Sequence, residues 1–327
     1  MTENRHKVLV IGPLPEPAIA LFDERDDILV QHVEDFSHEN LLAEFTDASG
    51  ATLRGAKVTA DIIEAAPKLK VVSRFGVGYD NVDIPAMNAR GAALTVVGDA
   101  NAVNVAELAI YMMLELAKRG RQHDQAVRGD DWWYKNRFNM TELWRQTLLI
   151  VGFGRIGTRV AARCKAFEMD VLVCDPYIDQ QLIVDAGCTP VADFRSVLPR
   201  VDYLTVHTPR TEETIGMIGA SELAQMKPSA ILVNCARGGI VDEAALLDAL
   251  KSGKLVGAGL DVFAQEPPAT DNPLFALDNV ILTPHMGGTS TEAALRMGMV
   301  CVQNVLDAID DNLNPELVIN KEVLERG

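Results

Sequence analysis

The sequence contains little cysteine and no long apolar run, and each absence excludes a class of protein. The few cysteines are scattered and never spaced as C-x-x-C; they are Cys164, Cys174, Cys188, Cys235 and Cys301. This usage argues against a disulfide framework, so we expect a cytoplasmic protein with reduced thiols and no metal site. No apolar run approaches the ~20 residues of a membrane span. The run at residues 8–11 ends at Gly12 and Pro13, which predicts a strand and not a signal peptide.

Positive charge is also scarce. The chain has 30 lysines and arginines against 46 aspartates and glutamates, which gives a formal net charge of -16 and a pI near 4.8. Such a surface repels phosphate backbones and anionic lipid, which argues against nucleic acid or a membrane as the main partner. Any anionic ligand must therefore be bound by local positive groups.

Short apolar runs alternate with helical patterns in two stretches of the sequence. The first stretch covers the first hundred residues, and the second begins near residue 147 and ends near residue 285. Alternation of this kind predicts parallel sheets covered by helices, and hence an α/β protein with two doubly wound parallel-sheet domains. We assign residues 1–100 and 291–327 to one domain and residues 101–290 to the other.

A long, largely apolar helical pattern lies between the two stretches, at residues 104–121. A helix of this composition is expected to be buried on several sides, between domains or between subunits. Met112 and Met113 are expected to pack in a core.

Gly152, Gly154 and Gly157 form a G-x-G-x-x-G motif between a predicted strand and a predicted helix. The motif alone is a weak signal, because an incidental turn between a strand and a helix can contain it. Here a second strand follows and ends at Asp175, 23 residues after Gly152. Glycines permit close approach of a pyrophosphate, the helix N-terminus supplies unpaired N–H groups, and Asp175 can accept hydrogen bonds from ribose hydroxyls. A carboxylate there repels a 2′-phosphate, so the pattern favours NAD over NADP.

Three polar residues, Arg237, Glu266 and His285, follow predicted strands of the second stretch. Ligands of an open parallel sheet bind beyond the carboxyl ends of its strands, so these side chains can converge on one crevice. A histidine beside a carboxylate is suited to general acid–base catalysis, and an arginine is a permanent cation for a carboxylate or carbonyl oxygen. Taken singly, each residue has a structural alternative: a helix cap, a solvated loop carboxylate or a buried histidine.

Several segments resemble the signature segments of the NAD-dependent D-2-hydroxyacid dehydrogenases: GFGRIG, NCARGGIVDEAALLDAL, GLDVFAQEPP and TPHMGG. The resemblance continues through SRFGVGYDNVD and HTPRTEETIGMI, and so covers nearly the whole sequence. It implies a Rossmann NAD-binding domain inserted into a flavodoxin-like substrate domain. It also implies that Arg237, Glu266 and His285 are catalytic: His285 accepts the hydroxyl proton, Glu266 holds the imidazole and favours its charged form, and Arg237 binds the substrate carboxylate.

The same resemblance implies further site residues. The cofactor-binding set comprises Gly152, Gly154, Arg155, Ile156, Gly157, Asp175, His207, Thr208, Pro209, Cys235, Asp261, Gly287 and Gly288. Within that set, Asp261 is implied to bind the nicotinamide carboxamide. The substrate-binding set comprises Arg54, Arg74, Val77, Gly78 and Asn101. The N–H groups of Val77 and Gly78 can chelate an anion, and the family assigns their loop to the substrate carboxylate.

Within the family, the sequence is most similar to the members that oxidise 3-phosphoglycerate. Those enzymes bind the substrate phosphate with basic residues, and Arg54, Lys57 and Arg74 match such positions, although solvated surface cations are the alternative. Lys135 stands where the family commonly has an arginine, and lysine cannot make bidentate phosphate contacts. A hydroxypyruvate or glyoxylate reductase is the alternative within enzymes, and an NAD(H)-sensing corepressor-like protein is the alternative from another class. Glu266 disfavours a formate dehydrogenase, in which a glutamine is expected.

The resemblance also bears on partners and regulation. It implies a small anionic 2-hydroxy or 2-oxo acid as substrate and a homodimer in which residues 104–121 and the pair Trp132 and Trp133 are covered. The regulatory domain of longer members is absent from the sequence, so feedback by serine is not expected.

Overall fold

The computed structural model describes residues 5–325 and contains two β-sheets flanked by helices. The polypeptide forms two compact units. The first unit comprises the described residues up to Asn101 together with those from Gly288 onward, and the second comprises Ala102–Gly287. Neighbouring strands run parallel in both sheets, which confirms the predicted α/β class with two parallel-sheet domains.

The elements follow one another in the order that the alternating pattern predicts. The first stretch contains β1 (His6–Ile11), α1 (Glu16–Asp23), β2 (Ile28–Val33), α2 (His38–Phe45), β3 (Ala48–Leu53), α3 (Ala60–Glu64), β4 (Val71–Arg74), α4 (Ile84–Arg90) and β5 (Ala93–Thr95). The second contains α5 (Ala102–Lys118), α6 (Gly120–Arg128), β6 (Thr147–Val151), α7 (Gly157–Ala166), β7 (Asp170–Cys174), α8 (Gln180–Asp185), β8 (Thr189–Pro190), β9 (Tyr203–Val206), α9 (Ala220–Gln225), β10 (Ile231–Asn234), α10 (Glu243–Lys251), β11 (Gly257–Leu260) and β12 (Val280–Leu282). The last α-helix is α11 (Thr291–Ile309). Short 3-10 helices lie at Trp132–Arg137, Phe194–Arg200, Pro273–Ala276 and Lys321–Val323.

The first unit is built on a five-stranded sheet in the order β2-β1-β3-β4-β5, which is the flavodoxin-like order. Successive residues of β1 alternate between two cores: Leu9 belongs to the core on one face, and Val8 and Val10 belong to the core on the other. α11 packs on the second of these cores, close to α1, so that a Cβ on Gly298 would lie 2.9 Å from the Cβ of Ala18. Helix α11, late in the sequence, thus covers one face of the first sheet together with α1.

The second unit is built on a seven-stranded sheet in the order β12-β11-β10-β9-β6-β7-β8. Counted from β6, the sequence first adds β7 and β8 on one side and then β9 to β12 on the other, which is the Rossmann arrangement. The direction of addition reverses between β6 and β9, and such a switch point opens a crevice beyond the carboxyl ends of the strands. Every candidate residue between positions 152 and 287 follows one of these strands or starts the next helix.

The prediction of a single helix over residues 104–121 is wrong at the carboxyl end. α5 stops at Lys118, Arg119 adopts a left-handed backbone with φ of 51°, and α6 begins at Gly120. The Glu115 carboxylate accepts a hydrogen bond of 2.7 Å from the Arg121 N–H, and so satisfies a free donor at the start of α6.

Met112 and Met113 are fully buried, which confirms that they pack in the core. Across residues 5–325, no helix has the combination of length and apolarity that crossing a bilayer requires.

Candidate active site

The glycine motif forms the turn between β6 and α7. Gly152 has a left-handed backbone with φ of 97°, and a Cβ on it would collide with the His207 carbonyl group. Gly157 is packed equally closely against the Gly152 carbonyl, whereas a Cβ on Gly154 would meet nothing within 4 Å. The first and third glycines are therefore required by the protein's own packing, and the middle one leaves open space where a pyrophosphate fits. Ile156, at the start of α7, has an N–H that donates to no other residue in the described part of the sequence.

Asp175 lies directly after β7 and is tied to the glycine turn. Its Oδ2 accepts a hydrogen bond of 2.8 Å from the Phe153 N–H, and its Oδ1 accepts one of 2.9 Å from the Tyr177 N–H. Each carboxylate oxygen has a second lone pair, so Asp175 can accept from ribose hydroxyls without losing these bonds. The backbone thus aims the carboxylate before any ligand is bound.

The carboxyl end of β9 presents polar atoms that lack partners. His207 Nδ1 and Thr208 Oγ1 are shielded from solvent and have no hydrogen-bond partner among the described residues. His207 Nε2 lies 2.9 Å from the Oγ1 of Thr205, and burial lowers the pKa of His207 to about 3, so the ring is neutral. Pro209 follows, exposed. Buried polar atoms without partners are rare, so their position beside the glycine turn fits a polar ligand such as a dinucleotide.

His285 and Glu266 form a hydrogen-bonded pair beyond β12 and β11. His285 Nδ1 lies 2.7 Å from Glu266 Oε2, and Glu266 Oε1 accepts a bond of 3.0 Å from the Phe263 N–H. Partial burial tends to raise the pKa of Glu266, but the bonds from His285 and Phe263 and the charges of His285 and Arg237 outweigh it and lower that pKa. The carboxylate therefore stays ionised, holds the imidazole by Nδ1 and leaves Nε2 for another partner.

Asp261, buried after β11, holds the loop that carries His285. Its backbone oxygen accepts a bond of 2.8 Å from the His285 N–H. Its Oδ1 accepts from the Thr283 hydroxyl at 2.6 Å and from the Met286 N–H at 2.7 Å, and its Oδ2 accepts from the Gly287 N–H at 2.8 Å. Burial raises the pKa of Asp261 against these bonds. The clamp fixes His285 in a left-handed backbone with φ of 52°, a conformation that few residues other than glycine adopt.

Arg237 lies in the turn after β10. Asn234 folds this turn by donating 2.9 Å to the Arg237 carbonyl and accepting 3.0 Å from the Ala236 N–H, while Arg237 Nη1 donates 2.8 Å to the Ala236 carbonyl. A Cβ on Gly238 would collide with the Phe263 carbonyl, and Gly239 has a φ of 79°. The two glycines are therefore explained by a close approach of two loops and by a left-handed turn.

An apolar cavity of about 500 Å³ adjoins the histidine–carboxylate pair. Its walls include Phe263, Pro268 and Phe275, with the two phenyl rings edge to face at 6.4 Å. Glu266 and His285 line the same cavity. The pair thus borders an apolar surface, while its own side chains remain 48% and 37% exposed.

The remaining cofactor candidates are Cys235, Gly287, Arg155 and Gly288, and of these the Cys235 side chain is engaged in the core. Cys235 packs its Sγ 3.8 Å from Met112 Sδ, and burial raises the pKa of its thiol far above the ordinary value. Gly287 is held by Asp261 and also accepts a bond of 2.6 Å from Asn104 Nδ2. Arg155 is exposed at the glycine turn, and Gly288 belongs to the first unit, where a Cβ on it would lie 3.1 Å from Asn101 Nδ2.

In the first unit, the loop after β4 has free donors. The N–H groups of Val77 and Gly78 donate to no other residue within positions 5–325. Arg74 holds this loop, because its Nε donates 2.8 Å to the Gly78 carbonyl and its Nη1 donates 2.8 Å to the Leu53 carbonyl. Adjacent free N–H groups form a concave anion site.

The other candidate substrate-binding residues of the first unit differ in how far their side chains are already engaged by the protein. Arg54 donates 3.1 Å from Nη1 to the Pro13 carbonyl and lies 4.9 Å above the ring of Phe75, so part of its guanidinium is engaged. Lys57 is exposed. Asn101 is 9% exposed, and its Oδ1 has no partner among the described residues. In the second unit, Lys135 lies 4.9 Å from the rings of both Trp132 and Trp133.

The sequence reasoning missed several residues that build the site. Asn234, Thr283 and Asn104 each fix a loop through a hydrogen bond to backbone or to Asp261. Their positions just after a strand or at a helix start were visible in the sequence. Their partners were not, because local pattern does not show which atoms the folded loops bring together.

The second unit matches a known family. Residues 110–287 match the model described as D-isomer specific 2-hydroxyacid dehydrogenase, NAD binding domain. A D-3-phosphoglycerate dehydrogenase from Archaeoglobus fulgidus is 41% identical over 302 residues, which cover 92% of this chain and 57% of the relative. One from Methanocaldococcus jannaschii is 41% identical over 313 residues, which cover 95% of this chain and 59% of the relative. The protein thus spans less than two thirds of the length of these curated relatives.

Solved structures resemble the protein over nearly its whole length. The TT0316 protein from Thermus thermophilus is 32% identical with a TM-score of 0.87, and the match covers 96% of this protein and 99% of that one. An NADPH-dependent glyoxylate/hydroxypyruvate reductase from Sinorhizobium meliloti is 31% identical with a TM-score of 0.82, covering 93% and 95%. With the family match and the 41% identity to curated relatives, these similarities establish that the protein belongs to the D-isomer specific 2-hydroxyacid dehydrogenase family and contains its NAD-binding domain.

Proposed function

We propose that this protein is a dehydrogenase that transfers a hydride between NAD(H) and C2 of a D-2-hydroxy acid or the matching 2-oxo acid. The observation that carries the proposal is the pair of His285 Nδ1 and Glu266 Oε2, 2.7 Å apart beyond the carboxyl ends of the Rossmann sheet. A histidine held in this way is suited to exchange a proton with a hydroxyl or carbonyl oxygen.

Each residue of the pair has a definite task. A bound nicotinamide cofactor would supply the hydride acceptor for oxidation at C2, as NAD, and the hydride donor for reduction, as NADH. His285 receives the hydroxyl proton at Nε2 in oxidation and donates it to the carbonyl oxygen in reduction, because its Nδ1 is occupied by Glu266. The ionised Glu266 stabilises the imidazolium that forms. Arg237 supplies a permanent positive charge for the substrate carboxylate and polarises the oxygen at C2.

We assign the cofactor as NAD because Asp175 is aimed by two backbone bonds at the place of the ribose hydroxyls. A 2′-phosphate there would face a carboxylate, and Pro176 and Tyr177 supply no cation to bind it. NADH is therefore expected to exceed NADPH in kcat/KM by well over tenfold, since separating two anions is worth at least that much at short range. Equal use of the two cofactors would contradict the assignment.

For the substrate we favour 3-phosphoglycerate, with 3-phosphohydroxypyruvate as the product. Two curated relatives, each 41% identical, are named for this substrate. Arg54, Lys57 and Arg74 offer positive charge near the carboxyl ends of the first sheet, and the free N–H groups of Val77 and Gly78 suit a carboxylate. Serine biosynthesis would then be the pathway that consumes the product.

The experiment that tests the substrate is an initial-rate comparison with NAD(H). It compares 3-phosphoglycerate and 3-phosphohydroxypyruvate with unphosphorylated pairs such as glyoxylate and hydroxypyruvate. A preference for the phosphorylated pair supports the assignment. A preference for glyoxylate or hydroxypyruvate would support the second candidate, a reductase of short D-2-hydroxy acids, which the similarity to the Sinorhizobium meliloti reductase favours. Tight NADH binding without turnover on any 2-oxo acid would indicate an NAD(H)-sensing corepressor-like protein.

We further propose that the protein forms a homodimer in the cytoplasm, with the first unit as substrate domain. Between α6 and β6 the surface carries large apolar side chains, with Trp132, Trp133 and Phe138 exposed by 62%, 67% and 88%. Such a segment favours burial against another surface. Light scattering should report about twice the single-chain mass of 35.6 kDa, in line with two-fold symmetry. A clean monomer at micromolar concentration would refute this.

A further inference from the structure

A hydrogen bond joins the two loops that flank the glycine turn. β6 lies between β7 and β9 in the sheet, so the loops after β7 and after β9 stand on either side of the turn after β6. Tyr177, in the first loop, donates from its hydroxyl to Glu213 Oε2, in the second loop, at 2.9 Å. Both side chains are exposed, and Tyr177 is 82% exposed. The bond therefore spans the crevice on the side where Asp175 lies.

Asp175 belongs to the same arrangement. Its Oδ1 accepts from the Tyr177 N–H at 2.9 Å, which fixes the backbone from which the phenol reaches Glu213. The bond to Glu213 and, to a lesser degree, the charges of Glu213 and Asp175 raise the pKa of Tyr177. The two carboxylates thus lie within electrostatic reach of one phenol, and both face the side of the crevice that would receive the adenosine half of a dinucleotide.

The loop after β9 carries opposite charges toward opposite sides. The Arg210 guanidinium lies against Gly239, in the turn that follows β10. Its Nε and Nη2 are both 3.6 Å from the position that a Cβ on Gly239 would occupy. Glu213 reaches instead to the loop that follows β7. Since β10 and β7 lie on different sides of β9 and β6, the cation is directed away from the ribose position and the carboxylate is held toward it.

From this arrangement we propose that Glu213, held across the crevice by Tyr177, is a second determinant that excludes NADP in addition to Asp175. The inference rests on the proposed function, because it assumes that the crevice binds a nicotinamide dinucleotide. The 2′-phosphate of NADP adds a charge close to -2 that the 2′-hydroxyl of NAD lacks. A carboxylate held on the same side of the crevice repels that phosphate and has no matching effect on a hydroxyl; the repulsion is screened over about one Debye length, ~8 Å at physiological ionic strength.

The test measures Kd for NADH and for NADPH by the fluorescence of the bound coenzyme, without substrate. Glu213→Gln removes the charge and keeps the shape, so NADPH should bind about threefold to tenfold more tightly while NADH changes less than twofold. Tyr177→Phe should change the ratio in the same direction by a smaller factor, because it releases Glu213 without neutralising it. Glu212→Gln, at the neighbouring exposed carboxylate, is the matched control and should change the ratio less than Glu213→Gln does, because it is Glu213 that the Tyr177 hydroxyl holds.

Two further measurements make the outcome decisive. The effect of Glu213→Gln should shrink at high salt, since it is electrostatic. It should be smaller but still present in an Asp175→Ala background, because Asp175 fixes the backbone of Tyr177 and the two carboxylates are therefore coupled. An unchanged NADPH to NADH ratio in Glu213→Gln, or an equal change in Glu212→Gln, would overturn the inference. Failure of the unmodified protein to bind either coenzyme would overturn the proposed function itself.

Discussion

The carboxyl ends of the two sheets use their polar residues in different ways, although both sheets are parallel and doubly wound. In the seven-stranded sheet, His285 Nε2 and two atoms after β9, His207 Nδ1 and Thr208 Oγ1, are left without bonds to the described residues. In the five-stranded sheet, Arg54 and Arg74 donate to backbone carbonyls. The same architecture therefore supplies the positions, and the local backbone decides whether a side chain is available for chemistry.

The largest effect is expected from the residue on the seven-stranded side that takes part in proton transfer. His285→Ala should lower kcat in both directions by about 10² to 10⁴ across the pH range, the usual contribution of a general acid–base. Initial rates of oxidation and reduction measure this directly. Retention of more than a tenth of the activity would mean that the proton is transferred elsewhere, and the comparison between the sheets would lose its basis.

At the five-stranded sheet, a substitution of Arg54 tests whether an arginine that already bonds to the protein backbone also binds a ligand. If it binds the phosphate, Arg54→Ala should cost a phosphorylated substrate about 1.5 to 3 kcal/mol, or roughly tenfold to 150-fold in kcat/KM. Glyoxylate and hydroxypyruvate should change little. Lys57→Ala, at an exposed cation nearby in sequence, is the matched comparison. Equal losses on both substrate types would mean that the bond to Pro13 and the contact with Phe75 are the whole role of Arg54.

The half-buried His207, after β9, predicts that acid destabilises the second unit. The unfolded pKa of histidine is about 6.5, and burial lowers the pKa of His207 to about 3. The folded state therefore binds fewer protons, and the stability present above pH 6.5 is lost as the pH falls toward 3. At pH 5 the loss is about 2 kcal/mol, roughly a 30-fold change in the unfolding constant.

Urea unfolding at pH 7.5 and pH 5 checks this prediction. His207→Asn removes the titrating group, so the variant should lose less stability between the two pH values than the unmodified protein does. A parallel loss in both proteins would show that His207 ionises without cost, and that the end of β9 is wetter than its burial indicates.

The smallest of these effects concerns Glu266. Its lowered pKa keeps it ionised at neutral pH, where it stabilises the imidazolium of His285. Glu266→Gln removes that charge, so the pH limit of reduction should move to lower pH by about one unit, and oxidation should become active at lower pH than before. At neutral pH this amounts to about a tenfold loss in reduction. Unmoved profiles in both directions would mean that Glu266 only positions the ring.

The sequence predicted the fold where local pattern and tertiary structure agree. The apolar run at residues 8–11 forms part of β1, and the turn at Gly152 forms as predicted, because each depends on residues that are neighbours in the sequence. The end of α5 was mispredicted although Gly120 marked it, because apolar periodicity outweighed a single glycine.

Less of the candidate site could be predicted from the sequence. The pairing of Glu266 with His285 follows from the sheet order, which places the ends of β11 and β12 side by side. The clamp made by Asp261 could not be foreseen, because its acceptors meet N–H groups of a loop about 25 residues later, and only tertiary structure brings them together. The packing role of Gly238 could not be foreseen for the same reason, since the Phe263 carbonyl that requires it lies in another loop.

The left-handed backbone at His285 favours some amino acids over others at that position. Outside glycine, asparagine, aspartate and histidine are enriched in this region and β-branched residues are rare there, although Arg119, Phe138 and Glu168 also adopt it in this protein. Of these, only histidine has an unperturbed pKa near neutrality. The loop geometry and the chemistry thus favour the same residue: a lysine or tyrosine base at this point would add backbone strain of about 1 to 3 kcal/mol in a turn that Asp261 holds in place.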